Sequence, residues 1–232
     1  MNEAVWAVLV AAGGGKRFGN ATPKQYLPLA GRSMLEHSLG LLLNEDLIAG
    51  VVVVLAGNDG RWPQLGIKSG KPLLQVTGGA ERADSVCAGL RAVVAQAGAE
   101  GWALVHDAAR PCLRIDVLRK FIEQLRDDPV GGLLAVPSHD SLKQVNDQER
   151  VSATVNRDRI WYAQTPQMFR AGALLRAYEA AAKAGVSPTD DAGAMEYVGH
   201  APRVVQGHAT NLKVTTPEDL QLAEHILWGK SQ

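Results

Sequence analysis

The chain has 232 residues, 46% hydrophobic and 21% charged, a composition that supports a sizeable core and excludes disorder, collagen-like repeats and coiled coils. Lys plus Arg and Asp plus Glu are equal at 24 each, so there is no global positive field for nucleic acid and any phosphate chemistry has to be local. The length reads as a single domain over residues 1–232, burying about 70% of its unfolded surface.

Cys87 and Cys112 carry no CxxC or Cys/His spacing and read as reduced, packed thiols. The apolar run at 5–12 is too short for a membrane span, and glycines with Lys16-Arg17 follow it where a signal peptide would place a small-residue cleavage site. A soluble cytoplasmic protein without membrane or nucleic-acid partners is expected.

Strand-length apolar runs recur at 5–12, 51–56, 73–77, 102–106 and 132–137, bounded by Gly, Pro or Asp. Between them lie helical patterns at 33–43, 82–97 and 115–125, the first opened by Ser33-x-x-Glu36, a capping box. Such alternation predicts an α/β fold: a mostly parallel open sheet with helices on both faces. Residues 138–159 are polar and weakly alternating, which predicts a protruding β-arm turning near Asn146-Asp147. Beyond it come a strand at 160–164, helices at 171–184 and 190–197, and short strands at 203–206 and 211–214. A last helix starts at Thr216-Pro217-Glu218-Asp219, with a Thr cap, Pro in the first turn and acids against the helix dipole.

The candidate chemistry sits where strands end. Residues 11–19 put Gly13, Gly14 and Gly15 directly after the first strand, where bare backbone N–H groups can approach an anion. The turn is neither a Walker A loop nor a complete GxGxxG. Between Ala4 and Leu35 stand Lys16, Arg17, Lys24 and Arg32 without one acid. A solvated basic loop is one account; a polyphosphate pocket is the account favoured here, with Lys24 pinned behind Pro23. Gly78-Gly79 with Ser85, and His106 to Pro111, also follow strands and should converge on the same sheet edge, although each taken alone fits an ordinary turn or a structural ion pair.

Seven blocks then occur in order: residues 11–19, Pro-Lys-Gln-Tyr-Leu at 23–27, Gly-Gly-x-Glu-Arg-x-Asp-Ser at 78–85, His-Asp-Ala-Ala-Arg-Pro at 106–111, Gln-Thr-Pro-Gln at 164–167, Thr-Asp-Asp at 189–191 and Asn-x-Lys-Val-Thr at 211–215. Together they make the chain resemble, over nearly its whole length, the 2-C-methyl-D-erythritol 4-phosphate cytidylyltransferases of the non-mevalonate isoprenoid pathway. The resemblance implies a Rossmann-like nucleotidyltransferase that joins CTP and methylerythritol phosphate into the CDP-alcohol, releasing pyrophosphate, with magnesium and as a homodimer through the arm. By position, it implies that Ala11, Ala12, Gly13, Gly14, Gly15 and Lys24 line the CTP site and that Gly79, Arg82, Ser85 and Ala108 surround cytosine and ribose. Arg17 and Lys24 match cations at the α-phosphate; Arg157 and Lys213 match those that position the second substrate's phosphate. Asp107, Arg110, Ser141 and Thr165 fall on the sugar-phosphate side. Ala80 stands where relatives often carry Asp, and Ser141 where Thr is common.

Such a transfer needs positioning and charge stabilisation more than acid–base work, because the nucleophile is already an ionised phosphate. His106 then reads as a packed histidine, and no side-chain metal ligands are expected, magnesium being held mainly by the triphosphate. A cytidylyltransferase for another polyol phosphate, such as ribitol 5-phosphate, shares some blocks, and a nucleotide-sensing module would bind without turnover. The cations aimed at a transition state argue against the sensor.

Overall fold

The computed structural model describes residues 4–13 and 22–229. In chain order the elements are β1 (Val5–Val10), β2 (Pro28–Leu29), β3 (Arg32–Ser33), α1 (Met34–Leu43), β4 (Ile48–Leu55), β5 (Leu73–Thr77), α2 (Arg82–Ala97), β6 (Trp102–Asp107) and α3 (Ile115–Leu125). They continue with β7 (Gly131–Pro137), β8 (Leu142–Val145), β9 (Val151–Val155), β10 (Trp161–Arg170), α4 (Ala171–Lys183), α5 (Asp191–Tyr197), β11 (Arg203–Gln206) and α6 (Pro217–Trp228).

Seven strands form one sheet in the order β11-β7-β10-β6-β1-β4-β5. All neighbouring pairs are parallel except those of β10, which runs antiparallel between β6 and β7. The period of two along each strand sorts side chains to opposite faces. Ala7, Leu9, Val51, Val53 and Leu104 pack with Leu35, Leu39, Phe121 and Ile122 of α1 and α3. Val8, Val52, Val54, Ala103 and Val105 pack with Leu90 of α2, Leu174 and Tyr178 of α4 and Met195 of α5. Both faces are covered, so β1 and β4 are apolar along their length, while β6 turns polar only at His106 and Asp107, where it reaches the sheet edge.

The capping box at α1 is formed, with Glu36 N donating to Ser33 Oγ and Ser33 N donating to Glu36 Oε2 at 2.7 Å. Thr216 caps α6 in the same way, through Asp219. The arm is a two-stranded hairpin of β8 and β9, and its turn is closed by Asn146 N to Arg150 O at 3.0 Å. No strand forms at 211–214. Val214 N donates to Ala109 O at 2.8 Å, while Arg110 and Lys24 side chains donate to the Asn211 and Val214 carbonyls, so the segment's hydrogen bonds run to loop and side-chain partners and make no ladder.

Candidate active site

Strand ladders run on past the strand ends and fix the loops that follow. Ala11 N donates to Val54 O, Gly78 N to Leu55 O and Ala108 N to Val10 O, at 2.8 to 3.1 Å. The loops after β1, β5 and β6 therefore meet at one edge, on either side of β1, where strand order reverses direction and open α/β sheets place ligands. A cavity of about 200 Å³ opens there, lined by Ala11, Ala12, Gly13, Lys24, Gly79, Arg82, Ser85, Asp107, Ala108 and Lys213. Every nucleotide-side residue expected from the sequence that lies within the described residues is in this lining. Gly14, Gly15 and Arg17 lie outside them, as does Lys16.

The glycines at 78 and 79 are required by close packing. A Cβ on Gly78 would stand 2.6 Å from Ser85 Oγ and 2.7 Å from Ala12 Cβ, and one on Gly79 would collide with the Asp84 side chain. Ser85 is 3% exposed and its hydroxyl serves the turn, accepting from Gly79 N and donating to Glu81 O, both at 3.2 Å.

Pro23 holds φ at −56° and leads into a single 3₁₀ turn, Lys24–Tyr26. Gln25, 4% exposed, donates to Ala11 O at 2.7 Å and ties this turn to the start of the glycine segment. Tyr26 OH donates to Asp59 at 2.7 Å, and Lys24 Nζ to Val214 O at 3.1 Å. Lys24 is thus held at the cavity from three sides.

The loop before α6 is pinned just as closely. Asn211, 1% exposed, donates to Gln164 Oε1 and to Thr165 O, and Arg110 donates to Asn211 O at 2.7 Å. This brings Lys213 Nζ to 2.6 Å from Asp107 Oδ2, whose other oxygen lies 3.2 Å from Arg82 Nε. Burial alone would raise the Asp107 carboxyl, but Arg82 and Lys213 overcome it and hold the group well below the usual carboxylate range. Arg82 also grips Asp191, with nitrogen–oxygen distances of 3.0 and 2.9 Å. Burial opposes its charge, yet Asp191 and Asp107 hold it firmly protonated.

A second cavity of about 230 Å³ adjoins the first and shares Arg82, Asp107 and Lys213 with it; Arg110, Gln164, Thr165, Thr189 and Asp190 are among the residues that line the rest of it. It exists because β10 is antiparallel: its N-terminal half reaches the edge where the parallel strands end, and Thr165 Oγ1 accepts from Asp107 N at 3.1 Å. Ser141 and Arg157 line neither cavity of their own chain. Both sit on the arm, where Arg157 donates to the His139 carbonyl.

His106 is fully buried, with Nε2 at 3.2 Å from Arg110 O and Nδ1 at 3.1 Å from Thr165 Oγ1. Burial pushes its pKa down from 6.5 to about 4, so it packs as a neutral ring. Between those two values the unfolded chain binds the extra proton. Stability should therefore be complete above about pH 6.5 and fall on acidification toward pH 4, by on the order of 3 kcal/mol for this group. Urea unfolding at pH 7.5 and pH 4.5 tests this: a folded His106→Asn variant should show a smaller loss than the wild type, and an equal loss would exclude His106 as its source.

Gln25, Gln164 and Asn211 lie in the sequence blocks singled out above, but nothing in those blocks indicates which carbonyl each will hold. Tyr178 and the partnership of Asp191 with Arg82 gave no sequence signal, being separated by 96 and 109 residues from the arginine they surround.

An open α/β sheet with a glycine-lined, lysine-bearing cavity at its reversal point, opening onto a second polar cavity, defines a nucleotide-using group-transfer site. The family description 2-C-methyl-D-erythritol 4-phosphate cytidylyltransferase matches residues 5–229. A protein of that name from Pseudomonas aeruginosa is 51% identical over 218 residues, covering 94% of this chain and 93% of its own, and one from Pseudomonas putida is 52% identical over 228 residues, covering 98% and 97%. Among solved structures, the Francisella tularensis protein of that name superposes with a TM-score of 0.80 at 33% identity over 96% of this chain and 99% of its own. The one from Thermus thermophilus gives 0.77 at 30% identity over 95% and 97%. The chain belongs to the 2-C-methyl-D-erythritol 4-phosphate cytidylyltransferase family.

Proposed function

We propose that the protein transfers a cytidylyl group from CTP to 2-C-methyl-D-erythritol 4-phosphate, giving 4-diphosphocytidyl-2-C-methyl-D-erythritol and pyrophosphate. The observation that carries this is the pair of adjoining cavities: one glycine-lined and bearing Lys24, the other polar and rimmed by Arg110, Thr165 and Lys213. The phosphate oxygen of the second substrate forms a bond to the α-phosphorus of CTP as the bond to the pyrophosphate oxygen breaks. No proton has to be removed from the attacking dianion, which suits a site whose nearby histidine, His106, is buried and neutral. Lys24, with Arg17, is assigned to charge on the α-phosphate, and Lys213, with Arg157, to the incoming phosphate.

Gly79, Ser85 and Ala108 in the lining are assigned to the base and ribose, and selection of cytosine over purines is expected from them. Pyrophosphate release with four nucleoside triphosphates and several polyol phosphates tests the assignment. Turnover should require CTP and favour methylerythritol phosphate; comparable rates with ATP or GTP, or a preference for ribitol 5-phosphate, would overturn it.

Magnesium belongs in this reading as the ion carried by the triphosphate, where it would neutralise phosphate charge. Asp107, one of the carboxylates lining the first cavity, has both oxygens engaged by Arg82 and Lys213, and no cluster of three metal-ligating side chains occurs among the described residues. No step is assigned to the ion.

We further assign the arm to dimerisation of a chain that acts as one unit over 1–232. Val145, Val151 and Val155 are 55, 62 and 38% exposed, as hairpin residues awaiting a partner surface would be. A two-fold exchange of arms would bury them with Leu142 and carry Ser141 and Arg157 into the partner's second cavity. Unbridged Cys87 and Cys112 fit a cytoplasmic setting, and no helix among the described residues is long and apolar enough to cross a membrane.

A further inference from the structure

The wall between the two cavities is an unbroken run of alternating charge. Asp191, in the first turn of α5, has a side chain with no exposure at all. Its oxygens take both terminal nitrogens of Arg82, and Tyr178 OH donates to Oδ1 at 2.6 Å. With those nitrogens committed, Arg82 presents its remaining Nε to Asp107 Oδ1, and Asp107 Oδ2 takes Lys213 Nζ. Two acids and two bases alternate from a buried helix start to a lysine 40% exposed at the cavity.

A guanidinium is a rigid planar fork, so fixing its two terminal nitrogens also fixes the direction of Nε. The orientation of Asp107, and through it the resting place of Lys213, is therefore set by a carboxylate that lines neither cavity. The nitrogens of Arg82 all point at protein acids and Tyr178, which leaves the nucleotide mainly its aliphatic stem.

We propose that Asp191 is a positioning residue for the polyol-phosphate half of the reaction, acting through Arg82 and Asp107 on Lys213. The inference rests on the cytidylyl-transfer reading above. An acid that only stabilised the fold would have no need of a chain of contacts ending on the lysine that meets the incoming phosphate. Asp191 places that lysine before the substrate arrives, and preorganisation of this kind is worth most where the phosphate must be aligned for in-line attack.

The test is a double-mutant cycle of Asp191→Asn and Lys213→Met, read as kcat/KM for methylerythritol phosphate and as the dissociation constant of a non-hydrolysable CTP analogue. Asp191→Asn alone should lower kcat/KM by tenfold or more while CTP-analogue affinity stays within threefold. In the Lys213→Met background the same substitution should cost less than threefold, because the group it positions is gone. Equal losses in both backgrounds, or a matching loss of CTP-analogue affinity, would overturn the proposal and leave Asp191 a structural acid. If Asp191→Asn does not fold, Tyr178→Phe decides, since it removes only the hydroxyl on Asp191. It should lower kcat/KM about threefold with Lys213 present and not without it, and equal effects or none would count against the proposal. Absence of turnover in the wild type with CTP and methylerythritol phosphate would instead remove the functional reading beneath it.

Discussion

Lys24→Ala is expected to lower the turnover number by on the order of 100-fold or more, while CTP binds less than tenfold more weakly. The expectation comes from how the lysine is held. Pro23, the 3₁₀ turn, Gln25 on Ala11 O and Tyr26 on Asp59 fix its backbone, and Nζ rests on the Val214 carbonyl. A cation held in place before the reaction stabilises charge that appears only in the transition state, and its loss falls on turnover; a mobile one would serve ground-state binding and its loss would fall on the Michaelis constant. Steady-state kinetics with CTP separate the two. Unchanged turnover with a raised Michaelis constant would rule out the transition-state role, and Arg17→Ala should behave as Lys24→Ala does if the two cations act together.

The second large effect concerns two chains. Arg157→Ala should abolish most activity although Arg157 lines neither cavity of its own chain. If it serves the partner's cavity, mixing Arg157→Ala with Lys24→Ala under subunit exchange should restore activity that neither possesses. In each heterodimer one pocket receives both defects and the other receives none. Half the dimers are mixed at random reassortment, so recovery should approach about a quarter of the wild-type rate. Verified heterodimers without activity, or a fully active monomer by sedimentation, would refute the shared site.

The parts of the fold legible in sequence were those with local causes. The limits of α2, β5 and β11 coincide with the expected ones because Gly, Pro or Glu stands at both ends, those of α3 follow from its apolar period between Arg114 and Arg126, and the capping box at Ser33 and the Thr216 cap are four-residue signals. The arm was legible because a polar, alternating segment has no core to join. Features decided at long range were not. An apolar strand does not declare its direction, so the antiparallel setting of β10 could not be read from residues 160–164. The segment 211–214 looks like a strand, but the donors that claim its carbonyls come from Arg110 and Lys24, far away in the chain. The site followed the same division. Glycine turns and cations at strand ends pointed to the first cavity, whereas the bonds of the Ser85 hydroxyl within its own turn could not be read from the sequence, and Arg82 finds a partner 109 residues away.

The arm leaves the sheet at Pro137 and returns at Trp161, and these two residues face one another in the β7–β10 ladder, with Ser138 N donating to Ile160 O at 2.9 Å just outside it. Everything between them is a detour that begins and ends at the same place, so its length and composition can drift without disturbing the register of any strand. On the functional assignment proposed above, the arm carries only the part of acceptor recognition that Ser141 and Arg157 supply, while Arg110, Thr165 and Lys213, like the residues assigned to CTP, are built into the sheet edge. Rewriting some twenty residues at a neck would then retune the acceptor contacts that the arm adds, leaving the nucleotide chemistry untouched.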